Sequence, residues 1–105
     1  MTQAKTPVQQ DILKDLELDE LNITTGCVCV YPNRVAEAVQ FLEGTGIPVA
    51  SVAAGFPAGQ TSMKQRLEEI EDAVKQGARE IDIVITRAHV LQSNWVALYE
   101  ETKQM

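Results

Sequence analysis

The amino-acid sequence predicts an α/β fold in which about three strand–helix units follow an initial helix. Three short apolar runs, near residues 26–31, 49–54 and 80–85, alternate with segments of helical periodicity. Such alternation implies a parallel sheet with right-handed crossover connections. Because a TIM (β/α)8 barrel uses roughly 31 residues per unit, a chain of 105 residues is expected to form a partial TIM barrel.

The first predicted helix lies near residues 7–17. Thr6 and Gln9 form a capping-box pattern with a proline at the first helical position. Apolar residues then recur at four-residue spacing. These residues are Val8, Ile12 and Leu16. The uncharged run at residues 26–31, which Pro32 closes, predicts a buried strand.

Three more helices are predicted from the same periodicity, near residues 34–43, 62–76 and 94–103. Ser62 forms a capping box with Gln65 at the start of the middle one, and its apolar residues should face inward. These residues are Met63, Leu67, Ile70 and Val74. Ser93 is expected to cap the last helix, whose aromatic and apolar residues lie near one face. These residues are Trp95, Leu98 and Tyr99.

We expect residues 1–105 to form a single domain, because this length supports one hydrophobic core but not two. A complete, small doubly wound sheet is the alternative architecture. Such folds usually carry about five strands, and three parallel strands would leave two unpaired edges.

Charge and cysteine content limit the partners and the compartment. A net charge of −6 argues against binding nucleic acid or an anionic membrane surface, because both need clustered Lys and Arg. A small anionic substrate remains compatible with a locally positive pocket. Cys27 and Cys29 do not make a disulfide framework, and no apolar leader precedes them. We therefore expect a cytoplasmic protein.

Asp82 is the side chain that points most strongly to chemistry. It lies in the middle of a strand that a parallel sheet would bury on both faces. Strand alternation separates Asp82 from Ile81 and Ile83, so the isoleucines should meet the helices and Asp82 should face the polar barrel interior. That interior leads to the active-site end of such barrels. A structural ion pair with Lys or Arg would explain a buried carboxylate equally well.

Other polar features carry weaker signals. Cys27, Cys29 and Tyr31 share a strand face, and the cysteines are best interpreted as small buried hydrophobes. A metal site would need more His or Cys ligands than the two cysteines and His89, so no metal site is predicted. We expect His89 to be a solvated loop residue. The loop at residues 55–59 occupies a position where barrels bind substrate, but it lacks the glycine spacing of nucleotide-binding loops.

None of the predicted strands contains a lysine. An amine nucleophile must be held deprotonated in a desolvated or positively charged site, which an exposed helix does not provide. All lysines fall in the N-terminal segment or on predicted helices. They are Lys5, Lys14, Lys64, Lys75 and Lys103.

Three segments, in order along the chain, resemble the deoxyribose-phosphate aldolase family. They are Cys29-Val30-Tyr31-Pro32, residues 49–59, and Glu80-Ile81-Asp82-Ile83-Val84. The resemblance extends from about Ala4 to the C-terminus. It implies a TIM-barrel class I aldolase of deoxyribonucleotide catabolism. Such an enzyme joins acetaldehyde to glyceraldehyde 3-phosphate reversibly through a lysine Schiff base, without a metal or other cofactor.

The resemblance also implies roles for individual residues. Asp82 matches the family aspartate of the proton relay around the Schiff-base lysine, and Cys29 matches a cysteine that lines the same pocket. Phe56 lies in the loop after the family's third strand and is expected to line the pocket too. The family's first strand, with its Asp-Leu-Thr motif, would precede residue 4. The strands that carry the Schiff-base lysine, a second active-site lysine and the glycine-rich phosphate site would follow Met105.

The resemblance therefore identifies the chain with strands two to four of the barrel, and we expect no aldolase turnover by this chain alone. A phosphorylated sugar would be the substrate of the complete protein. A noncatalytic α/β module, which binds a partner through unpaired strand edges or an exposed apolar sheet face, stays open as the alternative. In either case the open edges favour a homo-oligomer.

Overall fold

The computed structural model describes residues 3–105, which contain three β-strands and five α-helices. The strands are β1 (Val28–Val30), β2 (Val49–Ala53) and β3 (Glu80–Ile83). The helices are α1 (Gln10–Asp15), α2 (Val35–Phe41), α3 (Met63–Lys75), α4 (Arg87–Leu91) and α5 (Trp95–Gln104). Short 3-10 helices cover Gln3–Lys5, Asp19–Leu21 and Pro32–Arg34.

The three strands form one parallel sheet in the order β1-β2-β3. Helix α2 connects the first pair of strands and α3 the second. In the register of the sheet, Cys29 lies beside Ala50, and Val52 lies beside Asp82. The architecture is that of a partial α/β barrel, so the predicted fold class is confirmed.

Helix α1 begins later than its capping pattern predicts. It starts at Gln10, and the residue before it, Gln9, makes no side-chain capping hydrogen bond. Gln9 has extended backbone, with φ −63° and ψ 142°. A helix cannot continue through an extended residue, so the expected cap at Thr6 is wrong.

The capping box of α3 is confirmed, whereas that of the last helix is displaced. Ser62 Oγ accepts a hydrogen bond from the Gln65 amide at 3.3 Å, and the Ser62 amide donates to Gln65 Oε1 at 3.1 Å. At α5 the cap is Asn94, whose Oδ1 accepts from the Ala97 amide at 3.2 Å. Ser93 instead ends the connection from α4, a short helix that the sequence analysis did not predict.

The hydrophobic core lies between the sheet and helices α2 and α3. Its buried members are Val35, Leu42, Val49, Ala73 and Ala78. From the sheet, Val28, Val30 and Ile81 pack against them. Within residues 3–105, no helix combines the length and the apolar character needed to cross a membrane.

Helices α3 and α5 each bury a charged residue. Three of the four predicted inward residues of α3 are half-buried and Val74 is exposed, while Arg66 and Ala73 are buried. The half-buried residues are Met63, Leu67 and Ile70. On α5 the buried residue is Glu101, and Trp95 and Tyr99 are exposed. The apolar periodicity missed Arg66 and Glu101 because a charged side chain can be buried once its hydrogen bonds are satisfied.

Candidate functional site

The two faces of the sheet have different surroundings. Val28, Val30 and Ile81 point to the helices and pack against the core. Alternation along each strand puts Cys29 and Asp82 on the opposite face. The structure therefore places the Asp82 carboxylate away from the isoleucines and the helices, as the alternation predicts.

Asp82 is exposed among the described residues, and so is Cys29. The expectation that these strands are buried on both faces is wrong for β1 and β3. Burial on both faces occurs only in β2, where every residue is buried. The reason is strand order, because β1 and β3 each have a single neighbouring strand in the described sheet, while β2 has two.

Cys27 is half-buried, and the interpretation of both cysteines as buried hydrophobes does not hold. Burial raises the pKa of the Cys27 thiol, and the nearby Glu80 carboxylate and Cys29 raise it further. A raised pKa keeps the thiol protonated and therefore a poor nucleophile. Among residues 3–105, no three His, Cys, Asp or Glu side chains are grouped so that they could hold a metal ion.

An aromatic pair lies at the carboxyl end of the first two strands. The ring centroids of Tyr31, which follows β1, and Phe56, which follows β2, are 5.6 Å apart, and the ring planes are inclined by 72°. This edge-to-face geometry is a favourable arrangement of two aromatic rings. The contact brings the predicted pocket residue Phe56 next to the strand that carries Cys29.

The β2–α3 loop, residues 54–62, is pressed against the end of β3. Gly59 has φ +68°, and a Cβ atom there would lie 2.7 Å from Val84 Cγ1 and 2.9 Å from the Ile85 carbonyl oxygen. The Gly59 amide donates to the Gly55 carbonyl at 2.8 Å, which closes a turn within the loop. Glycine at position 59 therefore permits the loop backbone to touch the segment after Asp82.

A buried hydrogen-bond network, which the sequence analysis missed, joins this loop to β3 and α5. At its centre is Arg66, 4% exposed, whose Nη1 lies 2.8 Å from Glu101 Oε1. The guanidinium also donates to the carbonyls of Thr61 (3.0 Å), Val84 (3.3 Å) and Gly59, and to Thr86 Oγ1 (3.0 Å). The only sequence signal of this network is an arginine at an inward position of α3.

The partner carboxylate, Glu101, is 6% exposed. Its Oε2 accepts a hydrogen bond from the Thr86 amide at 2.9 Å, and its Oε1 accepts one from the Thr86 hydroxyl. Burial by itself would raise the pKa of the Glu101 carboxyl. The Thr86 hydrogen bonds and the charges of Arg66 and His89 outweigh burial, so this pKa lies below its ordinary value. Glu101 is therefore charged at neutral pH.

The remaining sequence candidates lie away from the strand ends. All five lysines are in helical segments. Lys64 and Lys75 of α3 are exposed and lie near Glu68 and Glu71, respectively. The Glu71 carboxylate raises the pKa of Lys75, which keeps its amine protonated. His89 is half-buried on α4, so the prediction of a solvated loop residue is wrong.

Comparison with curated proteins finds the same similarity that the strand segments indicate. The chain is 58% identical over 103 residues to deoxyribose-phosphate aldolase of Homo sapiens, which covers 96% of this chain and 32% of the human protein. It is 38% identical over 93 residues to deoxyribose-phosphate aldolase of Caldicellulosiruptor saccharolyticus, covering 89% of this chain and 42% of that protein. The chain thus spans less than half of these relatives. No protein-family model matches it.

Solved structures agree on the fold. A crystal structure of a protein from Coccidioides immitis, assigned as a deoxyribose-phosphate aldolase, matches with a TM-score of 0.71 and 26% identity, over 90% of this chain and 36% of that one. Tetrameric deoxyribose phosphate aldolase from Aeropyrum pernix matches with a TM-score of 0.52 over 72% of this chain and 32% of that one. At 23% identity the second similarity concerns the fold alone.

Proposed function

Since this chain belongs to the deoxyribose-phosphate aldolase family and spans about a third of its mammalian relatives, we propose that the complete protein cleaves 2-deoxy-D-ribose 5-phosphate reversibly. The products are acetaldehyde and glyceraldehyde 3-phosphate, and the reaction proceeds through a lysine Schiff base in cytoplasmic deoxyribonucleotide catabolism. The observation that carries the proposal is the 58% identity to the human enzyme over 96% of this chain.

We assign Asp82 to the proton relay of this reaction. Its carboxylate lies on the sheet face that points away from the helices, and in barrels of this class catalytic groups come from the strands and the loops that follow them. A carboxylate there can accept a proton from a reacting hydroxyl group or from water and return it. Cys29 shares this sheet face, and Phe56 lies on the loop after β2 against Tyr31. Both are assigned to the pocket wall.

In the proposed enzyme the Schiff-base lysine is not one of the residues of this chain, and we infer that the chain is inactive alone. Its lysines lie in helical segments, and a carboxylate such as Asp82 does not form an imine with an aldehyde. The test treats the 105-residue chain with acetaldehyde and borohydride and maps adducts by mass spectrometry. We expect no stoichiometric adduct. A single lysine modified to completion would contradict the inference.

The role of Asp82 is tested in a longer polypeptide that contains this sequence together with a Schiff-base lysine. Asp82→Asn should lower kcat for 2-deoxyribose 5-phosphate cleavage by about 100-fold or more, because general acid–base catalysis typically contributes factors of that size. Glu80→Gln changes the other acid of β3 and serves as the control, with a kcat close to that of the parent. Equal effects of the two substitutions would refute the assignment.

The alternative function is that of a noncatalytic interaction module. It is favoured by apolar side chains that α4 and α5 expose among the described residues. They are Leu91, Trp95, Val96 and Tyr99. The coding sequence downstream of the Met105 codon separates the two functions. A further strand with a Lys-Thr-Ser-Thr-Gly-like segment supports the aldolase, whereas a stop codon supports the module.

A further inference from the structure

We propose that Arg66 is a positioning residue, which fixes the β2–α3 loop with Phe56 against the end of β3, the strand that carries Asp82. The structural part of this proposal stands on the hydrogen bonds of Arg66 alone. Its catalytic meaning rests on the proposed aldolase function.

Every donor of the Arg66 guanidinium is used. Arginine has five N–H groups in a rigid fork, and Arg66 makes five hydrogen bonds. Two of the acceptors are carbonyls of the β2–α3 loop, two are groups just after β3, and one is the Glu101 carboxylate. One side chain therefore ties three segments together, and any relative movement of the loop and β3 would break at least two of these bonds.

A role in holding geometry explains this arrangement better than a role in stability alone. A buried ion pair contributes little net stability, because desolvation of both charges offsets their attraction. Arg66 gives hydrogen-bond partners to three backbone carbonyls, two of which lie in the β2–α3 loop. The bonds are thus directional constraints on where the loop backbone lies.

Contacts outside the guanidinium point to the same function. The loop backbone at Gly59 is so close to Val84 that a side chain there would collide with it. From the exposed side, Arg87 Nη2 donates to the Ala58 carbonyl at 3.2 Å. The loop is thus held from several directions against the segment that follows Asp82. Arg66 makes the hydrogen bonds on its buried side.

The test compares Arg66→Lys with Arg79→Lys in the 105-residue chain. Lysine keeps the positive charge but cannot reproduce the planar fork, and Arg79 is exposed, so its substitution is the matched control. Nuclear Overhauser effects in the folded chain follow two loop contacts, Gly59 with Val84 and Tyr31 with Phe56, and one contact within the sheet, Val52 with Asp82. Amide hydrogen exchange at Ser51, within β2, follows the stability of the whole fold.

For Arg66→Lys we expect the two loop contacts to be weakened or lost in the folded chain, because lysine cannot hold the loop with a planar fork, while the Val52–Asp82 contact is unchanged. Exchange at Ser51 should also be faster, since bonds lost from the native state lower its stability against global opening as well. Loop contacts of parent intensity in the folded variant would make Arg66 a stabiliser only and overturn the proposal.

A second variant covers the case in which Arg66→Lys does not fold. Thr86→Val keeps the side-chain shape and removes only the hydroxyl that bridges Arg66 and Glu101. We expect a smaller weakening of the same two loop contacts, with the Val52–Asp82 contact unchanged. Loop contacts of parent intensity in this variant would contradict the proposal.

The catalytic part is tested in the longer polypeptide with 2-deoxyribose 5-phosphate. Arg66→Lys should lower kcat/KM at least about 10-fold, because misplaced pocket groups weaken transition-state contacts, and its pH profile should keep its shape because Asp82 is unchanged. An unchanged kcat/KM together with a loosened loop would overturn the catalytic part. If the parent polypeptide has no aldolase activity, the proposed function fails, while the results on the loop contacts still stand.

Discussion

A single residue without a side chain determines how closely the β2–α3 loop approaches β3. Gly59 combines a left-handed backbone with the absence of space for a Cβ atom. Gly44 has a similar φ of +78°, but nothing lies within 4 Å of a Cβ built there. An alanine at position 44 would therefore experience backbone strain alone, whereas an alanine at position 59 would experience both strain and a steric clash.

Gly59→Ala is expected to destabilise the chain by about 2–4 kcal/mol, since left-handed strain and overpacking act together. Gly44→Ala carries the strain alone and should cost about 1 kcal/mol. Urea denaturation of both variants and the parent measures the difference. Equal costs for the two substitutions would show that the loop can move away from Val84 without penalty.

The Glu101 carboxyl links stability to pH. Its pKa is lowered in the folded chain from an ordinary value of 4.5, so the unfolded state takes up this proton at higher pH than the folded state does. The stabilisation is therefore complete above pH 4.5 and is lost as the pH falls through the lower folded pKa. The Thr86 hydrogen bonds and the nearby Arg66 of α3 favour its ionised form.

Glu101→Gln is expected to destabilise the chain by about 3–5 kcal/mol at pH 7, because it leaves the buried Arg66 charge without its counter-ion. The difference in unfolding free energy between the variant and the parent should become smaller as the pH falls below 4.5. Thermal unfolding between pH 3 and pH 7 measures it, with the exposed Glu100→Gln as the control. A gap that is constant with pH would contradict the linkage.

At the scale of elements, the two predicted serine caps have different outcomes for a structural reason. Ser62 has extended backbone, with φ −64° and ψ 156°, and this directs its hydroxyl toward the free amides of α3. Ser93 has φ +56° and lies one residue before the actual cap. Serine therefore caps a helix at position 62, whereas at position 93 it lies in the segment that connects two helices.

Ser62→Ala should cost about 1 kcal/mol of unfolding free energy, because two amides at the start of α3 lose their partners or their alignment. Ser93→Ala should cost less than about half of that, since Ser93 makes no capping hydrogen bond. Chemical denaturation of the two variants tests the contrast. A larger cost at Ser93 would mean that α5 is capped differently in solution.

At the scale of the whole molecule, the described chain is extended. Its dimensions are 48 × 30 × 19 Å with a radius of gyration of 17.5 Å, against about 13 Å expected for a compact domain of 100 residues. The sheet has only three strands, so β1 and β3 each have one edge without a partner strand among residues 3–105. Such edges are templates for pairing with another chain.

We expect the chain to self-associate as its concentration rises, through the uncharged edge of β1 in preference to β3, which carries Glu80 and Asp82. Cys29→Lys puts a charge on the β1 edge and should lower the association constant about 10-fold or more. Gln40→Lys adds the same charge on the exposed surface of α2 and is the control. Sedimentation velocity measures both, and a monomer at all concentrations would contradict the expectation.

The sequence by itself determined the order of the three strands and of every helix except α4, the capping box of α3 and the face of β3 on which Asp82 lies. These features depend on neighbours within a few positions, through helical period, strand alternation and side-chain caps, so a local pattern contains them. The family resemblance was also visible in three strand segments, which the 58% identity to the human relative bears out.

Only the tertiary structure decided which strands are edges and which charges are buried. Cys29 and Asp82 are exposed because of strand order in the sheet, which no single strand encodes. Arg66 and Glu101 are buried because residues 35 positions apart meet, while Arg66 also bonds the β2–α3 loop and Glu101 also bonds Thr86. Burial of a charge depends on partners supplied by other elements, and the sequence around either residue does not contain those partners.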